Sequence, residues 1–356
     1  MTWPMQNICF THQLGADVDA IADALQPDRL FVLTDETTHA LCLPRLAAES
    51  RRAADATVIS IGATDTHKTL ESLTHVWTRL CEGGATRHSL LLNLGGGMVT
   101  DLGGFAAATF KRGIAFVNIP TTLLSMVDAA VGGKTGINFH GLKNEIGCFR
   151  EAEAVVVDTE FLRSLDRPNL CSGYAEMLKH ALLENRAMWT DHLGFDLDEP
   201  DLARLQELVA QSVQTKQRIV AADPHEKGLR KALNLGHTVG HAFESLAMEQ
   251  DRPVLHGYAV AWGLACELYL SAAHAGFPTQ EMHQTVRFVR EHFGLFDFNC
   301  HDYERLYALM QHDKKNVGTE INFTLLGGIG EILLNQHLSK QQVFDSFDFF
   351  REGGIG

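Results

Sequence analysis

The sequence predicts an open α/β sheet in its first half and a mainly α-helical second half, divided near residue 165. Three observations carry this. Up to about Leu165, short apolar runs alternate with helix-length stretches. Those runs are rich in Val, Ile and Leu with little alternation, as in parallel strands covered on both faces. Beyond Leu165, apolar residues recur at helical spacing, and only two short runs flanking Gly327-Gly328-Ile329-Gly330 read as strands.

Taken in order, the runs 29–33, 57–61, 89–94, 115–119 and 154–157 are the expected strands, with helices between them such as 68–81 and 98–110. This rhythm is that of a Rossmann-like open sheet. Asp166-Arg167-Pro168-Asn169 interrupts the pattern, and so the domains are expected at 1–165 and 166–356. The second is expected to hold helices over 171–185, 201–222, 234–248, 257–275 and 279–293, then a hairpin of 321–326 with 331–335.

A net charge of −14 disfavours nucleic acid and anionic membrane as partners. No apolar run approaches the ~20 residues that span a bilayer. The start, Met1-Thr2-Trp3-Pro4, lacks a basic segment followed by an apolar core, and the seven cysteines form no C-x-x-C pair. Together these predict a soluble, cytoplasmic protein with reduced thiols.

Five motifs bear chemistry. Gly95-Gly96-Gly97 follows a strand and precedes a helix, where backbone N–H groups can approach a pyrophosphate; a tight structural turn remains the alternative. Its spacing departs from G-x-G-x-x-G because position 100 is Thr. Gly132-Gly133-Lys134-Thr135 ends like a phosphate loop, but position 128 is Asp where the first glycine belongs, which argues against an ATP-binding P-loop. Lys134 among glycines remains an accessible anion ligand. Glu176, Lys179 and His180 share a helix face at i, i+3 and i+4, which by itself reads as a surface ion pair. Asn234, His237, His241 and Glu244 are expected to stack along one helix, with His256 opening the next apolar run. Glu176 with His237 and His256 makes a two-His, one-carboxylate set, which leaves coordination positions open for substrate on a catalytic zinc or cobalt. His312-Asp313-Lys314-Lys315-Asn316, alone, is a charged helix end.

In this order, with Arg112-Gly113-Ile114, Pro120-Thr121-Thr122-Leu123-Leu124, Lys143-Asn144 and Gly228-Leu229-Arg230, the motifs resemble the 3-dehydroquinate synthases of the sugar-phosphate cyclase family. The match runs from about Asp35 to Gly330. The resemblance implies NAD in the first domain and a divalent metal, zinc or cobalt, on Glu176, His237 and His256. Asp35, Asp65, Lys68, Gly96, Gly97 and Asp101 are then expected at NAD, with Thr121, Thr122, Phe161 and Ser164; Lys134 and Lys143 serve both ligands. The substrate, 3-deoxy-D-arabino-heptulosonate 7-phosphate, is expected between the domains. Arg112, Asp128, Lys134, Lys143, Asn144 and Lys179 would surround it, with Lys216, Arg230, Asn234, His241 and Lys314. Seven of these are Lys or Arg, so an acidic chain can still hold a phosphate and a carboxylate.

The implied reaction belongs to aromatic amino acid biosynthesis by the shikimate route. It runs through transient oxidation by NAD, phosphate elimination, re-reduction, ring opening and aldol closure. A homodimer is the family expectation. Two departures stand out: Tyr258 replaces the Glu common after His-Gly, and Asp65 replaces a Glu three residues before Lys68. The rival readings are another sugar-phosphate cyclase, a metal-dependent alcohol or glycerol-phosphate dehydrogenase, and a catalytically silent NAD-binding scaffold.

Overall fold

A computed structural model describes residues 6–140, 142–311 and 321–352. The chain folds as two compact units. One runs up to Asp166 and includes Leu202–Val213; the other comprises Arg167–Asp201 and the chain from Gln214 onward.

The first unit is built on six strands: β1 (Ile8–Phe10), β2 (Leu30–Asp35), β3 (Thr57–Ile61), β4 (Leu90–Gly95), β5 (Ala115–Pro120) and β8 (Ala154–Val157). All pair in parallel, in the order β1-β8-β5-β4-β2-β3. Every residue of β4 and β8 is buried, which explains why both are apolar but for Asn93. The chain leaves β2 for β3 on one side and leaves β4 for β5 on the other. Connections therefore diverge between β2 and β4, and such a switch point opens a crevice at the carboxyl ends of the strands. Helix α1 (Gly97–Thr109) starts at that end of β4 and packs on β4 and β5.

Two features were not expected from sequence. β1 is a three-residue edge strand, and β6 (Lys134–Phe139) with β7 (Leu142–Phe149) forms an antiparallel ribbon where an anion-binding loop was expected. The first turns of α3 (Leu202–Ala222) join this unit through Gln206. Its amide donates to Thr11 O at 3.1 Å, and its oxygen accepts from Thr159 Oγ1 at 3.0 Å.

In the second unit α2 (Arg167–Glu184), α4 (His237–Glu249) and α5 (His256–His274) form the core around which the other helices pack. β9 (Phe323–Gly328) and β10 (Glu331–Gln336) make the expected antiparallel hairpin, and helix Thr279–Phe293 has its expected bounds. One expectation is corrected. Asn234 does not continue into the helix of His237: it ends a 3-10 turn, Leu229–Asn234, and Gly236 then takes φ 80°, ψ −13°. That left-handed step ends the turn before α4 begins. A side chain on Gly236 would meet Leu264 at 2.8 Å and Val260 O at 3.0 Å, so glycine is required for space as well.

Candidate active site

Three helices bring Glu176, His237 and His256 together. Glu176 lies in mid-α2 and is fully buried, while His237 and His256 are the first residues of α4 and α5. Glu176 Oε1 is a buried oxygen that accepts no well-formed hydrogen bond. His237 Nε2 lies 3.3 Å from it and His256 Nε2 3.6 Å, and one donor atom from each of the three residues falls within 4.8 Å of the others. A tetrahedral ion with bonds of about 2.0–2.1 Å separates its ligands by about 3.3–3.4 Å. The set therefore fits such an ion in both donor type and spacing.

The electrostatics agree. Burial pushes the Glu176 carboxyl up, but Lys179 and the two imidazoles outweigh it and hold the group well below the usual carboxylate range. Lys179, itself buried, donates to Glu176 Oε2. At His256, burial favours the neutral ring, yet Glu176 and Glu244 pull its pKa up to about 10. The pocket thus demands positive charge between two carboxylates.

The outer nitrogens of both histidines are also held. His256 Nδ1 lies 3.1 Å from Glu244 Oε2, and His237 Nδ1 3.2 Å from Leu235 O. A carbonyl only accepts, so Nδ1 of His237 carries the proton there and Nε2 is left as the ligand atom. Glu244 was expected only as one of a row on the helix face; its bond to His256 joins two helices and has no sequence signal. Tyr258, the departure beside His256, turns away from this cluster. Its ring contacts Phe293 and Trp262 at 5.3 and 5.9 Å between centroids. His241 stays close, 5.3 Å from the His237 ring and 5.9 Å from that of His256, without joining the three ligand atoms.

Elsewhere in this unit, Lys216 and Arg230 are buried. Arg230 donates to Pro224 O at 2.8 Å, and Asp223 accepts the N–H groups of Lys227, Gly228 and Arg230 to shape the loop that carries it. Asn234 donates to Glu226 Oε1 at 3.3 Å. Lys314 lies outside the described residues, with the rest of its motif.

In the first unit, Asp35, Gly96, Gly97, Thr121 and Thr122 lie at the carboxyl ends of β2, β4 and β5. Asp35 ends β2, and one of its oxygens caps the following helix through Thr38 N at 2.8 Å. Gly96 caps α1, whose N-terminal N–H groups and dipole favour an anion. A Cβ on Gly96 would lie 3.1 Å from Thr122, and one on Gly97 3.1 Å from Ala129, so side chains would fill this cradle. Thr121 N donates to Gly95 O at 3.0 Å and ties the β5 turn to the glycines. Phe161 and Ser164 lie in the 3-10 turn after β8, with Arg45 over the Phe161 ring at 5.0 Å.

Lys68 is buried and donates to Asp101 Oδ2 and Asn144 Oδ1, both at 2.5 Å. Asn138, which sequence reading missed, completes this cluster. It donates to Asp65 Oδ2 at 3.0 Å and accepts from Asn144 N at 3.0 Å. The exposed Lys134 and Lys143 project from the same ribbon, and Asp128 sits in the short π-helix after Thr122. Arg112 does not join the glycine turn. It follows the far end of α1, a 13-residue helix and thus about 20 Å away, in a left-handed conformation with φ 69°.

Residues 58–172 match the family model for 3-dehydroquinate synthase N-terminal, and residues 173–316 that for 3-dehydroquinate synthase C-terminal. A 3-dehydroquinate synthase of Parabacteroides distasonis is 49% identical over 347 residues, 98% of each chain. That of Pyrococcus abyssi is 37% identical over 329 residues, 92% of this chain and 95% of its own. Among solved structures, 2-epi-5-epi-valiolone synthase from Streptomyces hygroscopicus, with NAD+ and Zn2+ bound, superposes with a TM-score of 0.86. It is 26% identical and covers 99% of this chain and 98% of its own. The chain belongs to the 3-dehydroquinate synthase family.

Proposed function

We propose that this chain converts 3-deoxy-D-arabino-heptulosonate 7-phosphate to 3-dehydroquinate and phosphate. The observation that carries the reading is the convergence of Glu176 Oε1 with the Nε2 atoms of His237 and His256, in a chain of this family. Those three residues would hold the divalent cation. The cradle of Gly96 and Gly97, with Asp35, Asp101, Thr121 and Thr122, would hold NAD. When bound, zinc or cobalt supplies Lewis acidity toward substrate oxygens, and NAD supplies a hydride acceptor whose hydride returns to the substrate within the turnover.

The chain's own side chains orient the substrate. Lys134, Lys143 and Asn144 stand beside the nucleotide cradle, and Lys179, Lys216, Arg230 and Asn234 belong to the helical unit. Their charges suit a substrate bearing a phosphate and a carboxylate, and fixed orientation supplies much of the rate. Lys179 also keeps Glu176 ionised. His241, beside both ligand imidazoles, is placed to hold or pass a proton at a substrate oxygen. We read the enzyme as a cytoplasmic homodimer. The seven free cysteines support the compartment, and the exposed Leu142, Ile146 and Phe149 of β7 support a second copy.

The test supplies heptulosonate phosphate, catalytic NAD and zinc, and measures phosphate, dehydroquinate and NADH together. Phosphate and dehydroquinate in equal amounts with no net NADH are expected. Phosphate without dehydroquinate would reassign the product to another cyclase, and accumulating NADH would make the chain a dehydrogenase.

A further inference from the structure

A carboxylate unused by the reading above lies behind His237. Glu267 is on α5 and has no solvent exposure. Gly236 N–H donates to its Oε2 at 2.6 Å and Val239 N–H to its Oε1 at 3.0 Å. The Gly236 N–H and the Leu235 carbonyl belong to one peptide unit, and that carbonyl faces His237 Nδ1 at 3.2 Å. The Nε2 of the same ring faces Glu176.

We infer that Glu267 is a positioning residue for the metal ligand His237, acting through the Leu235–Gly236 peptide. The inference rests on the metal-site reading and extends it. His256 has its carboxylate, Glu244, in direct contact, whereas His237 has Glu267 one peptide removed. A negative charge at the N–H end of a peptide polarises its carbonyl into a stronger acceptor, which fixes the imidazole and raises its donor strength. The same carboxylate offsets the positive end of α4, which would otherwise face a bound cation.

Packing makes the arrangement rigid. His256, Gly263 and Glu267 recur along one stripe of α5 at i, i+7 and i+11. At Gly263 a Cβ would come within 2.0 Å of Gly236 O and 2.7 Å of Gly240 N, so the two backbones touch there. A Cβ on Gly240 would lie 2.7 Å from Ala259 O. One helix face therefore carries one metal ligand and the anchor of the other.

The test compares the full-length enzyme with Glu267→Ala and Glu267→Gln. Co2+ affinity is measured by chelator competition, the Co2+ d–d absorption is recorded, and Tm is measured without metal. A loss of about 10–100-fold in Co2+ affinity with a shifted d–d band is expected for Glu267→Ala. Glu267→Gln should fall between, because its amide accepts from one N–H but sets its own NH2 against the other. A purely structural role would lower Tm and leave the Co2+ affinity and spectrum at the parent values, which would overturn the inference. If Glu267→Ala does not fold, Glu267→Gln decides by the same criterion. A parent enzyme that binds no Co2+, or binds it equally after Glu176→Ala, would overturn the metal site and the inference together. Normal parent binding left unchanged by Glu267→Gln would overturn the inference alone.

Discussion

Replacing Gly257 with alanine tests how the three ligands are held. Gly257 follows His256 at the start of α5, and its N–H donates to Ser172 Oγ at 3.0 Å, one turn before Glu176 on α2. A Cβ at 257 would lie 1.8 Å from Ser172 O and 2.5 Å from Ser172 C and Cα. All three are backbone atoms, so no side chain can yield, and the helices must separate by at least about 1.2 Å to restore the 3.0 Å minimum. Overpacking of this kind costs about 1–3 kcal/mol. The ligand distances suffer more, because a metal site tolerates only about ±0.2 Å. Gly257→Ala should therefore lose most of its bound zinc, measured by elemental analysis of dialysed protein, and its Tm should fall by about 2–4 °C per kcal/mol. NAD binding, which we assign to the other unit, should persist. Full zinc occupancy with an unshifted Tm would refute the account of how the helices hold the site.

Three further outcomes follow from the same geometry. Glu244→Ala should weaken Zn2+ binding about 10–100-fold, as removal of an imidazole's carboxylate partner does; chelator titration against the parent is the check. Lys68→Met removes the ammonium that bonds Asp101 and Asn144, and a hydrogen bond to a charged group is worth about 1.5–3 kcal/mol. Weaker NAD binding by calorimetry and a lower Tm are expected, with metal content unchanged. Tyr258→Phe keeps the ring on Phe293 and Trp262, so metal occupancy should equal that of the parent; a loss would mean the hydroxyl reaches the site.

Much of this was legible in the sequence, for identifiable reasons. β3 and β8 have their expected bounds and β2, β4 and β5 lie within two residues of them, since buried parallel strands leave dense Val, Ile and Leu runs. Glu176, His237 and His256 were legible because their motifs occur in the family's order. The β6–β7 ribbon was not: every described residue of β7 except Cys148 is exposed, so no apolar pattern marks it, and its glycines read as a loop. β1 has three residues and finds its partner, β8, about 150 positions away. Asn234 was placed on the wrong element because periodicity cannot register the left-handed step at Gly236. Glu267 did leave a signal. A carboxylate within the apolar run of α5 must be buried, and a buried carboxylate needs donors. Nothing in the sequence says that those donors are the first turn of the helix bearing His237.

The most direct test of the account is a crystal structure of the enzyme with Zn2+ and NAD, with anomalous scattering recorded at the zinc edge. The account predicts one anomalous peak about 2.0–2.2 Å from Glu176 Oε1 and from the Nε2 atoms of His237 and His256, with NAD across the carboxyl ends of β2 and β4. A zinc peak on any other set of residues, or none at these three in zinc-saturated, active protein, would contradict it.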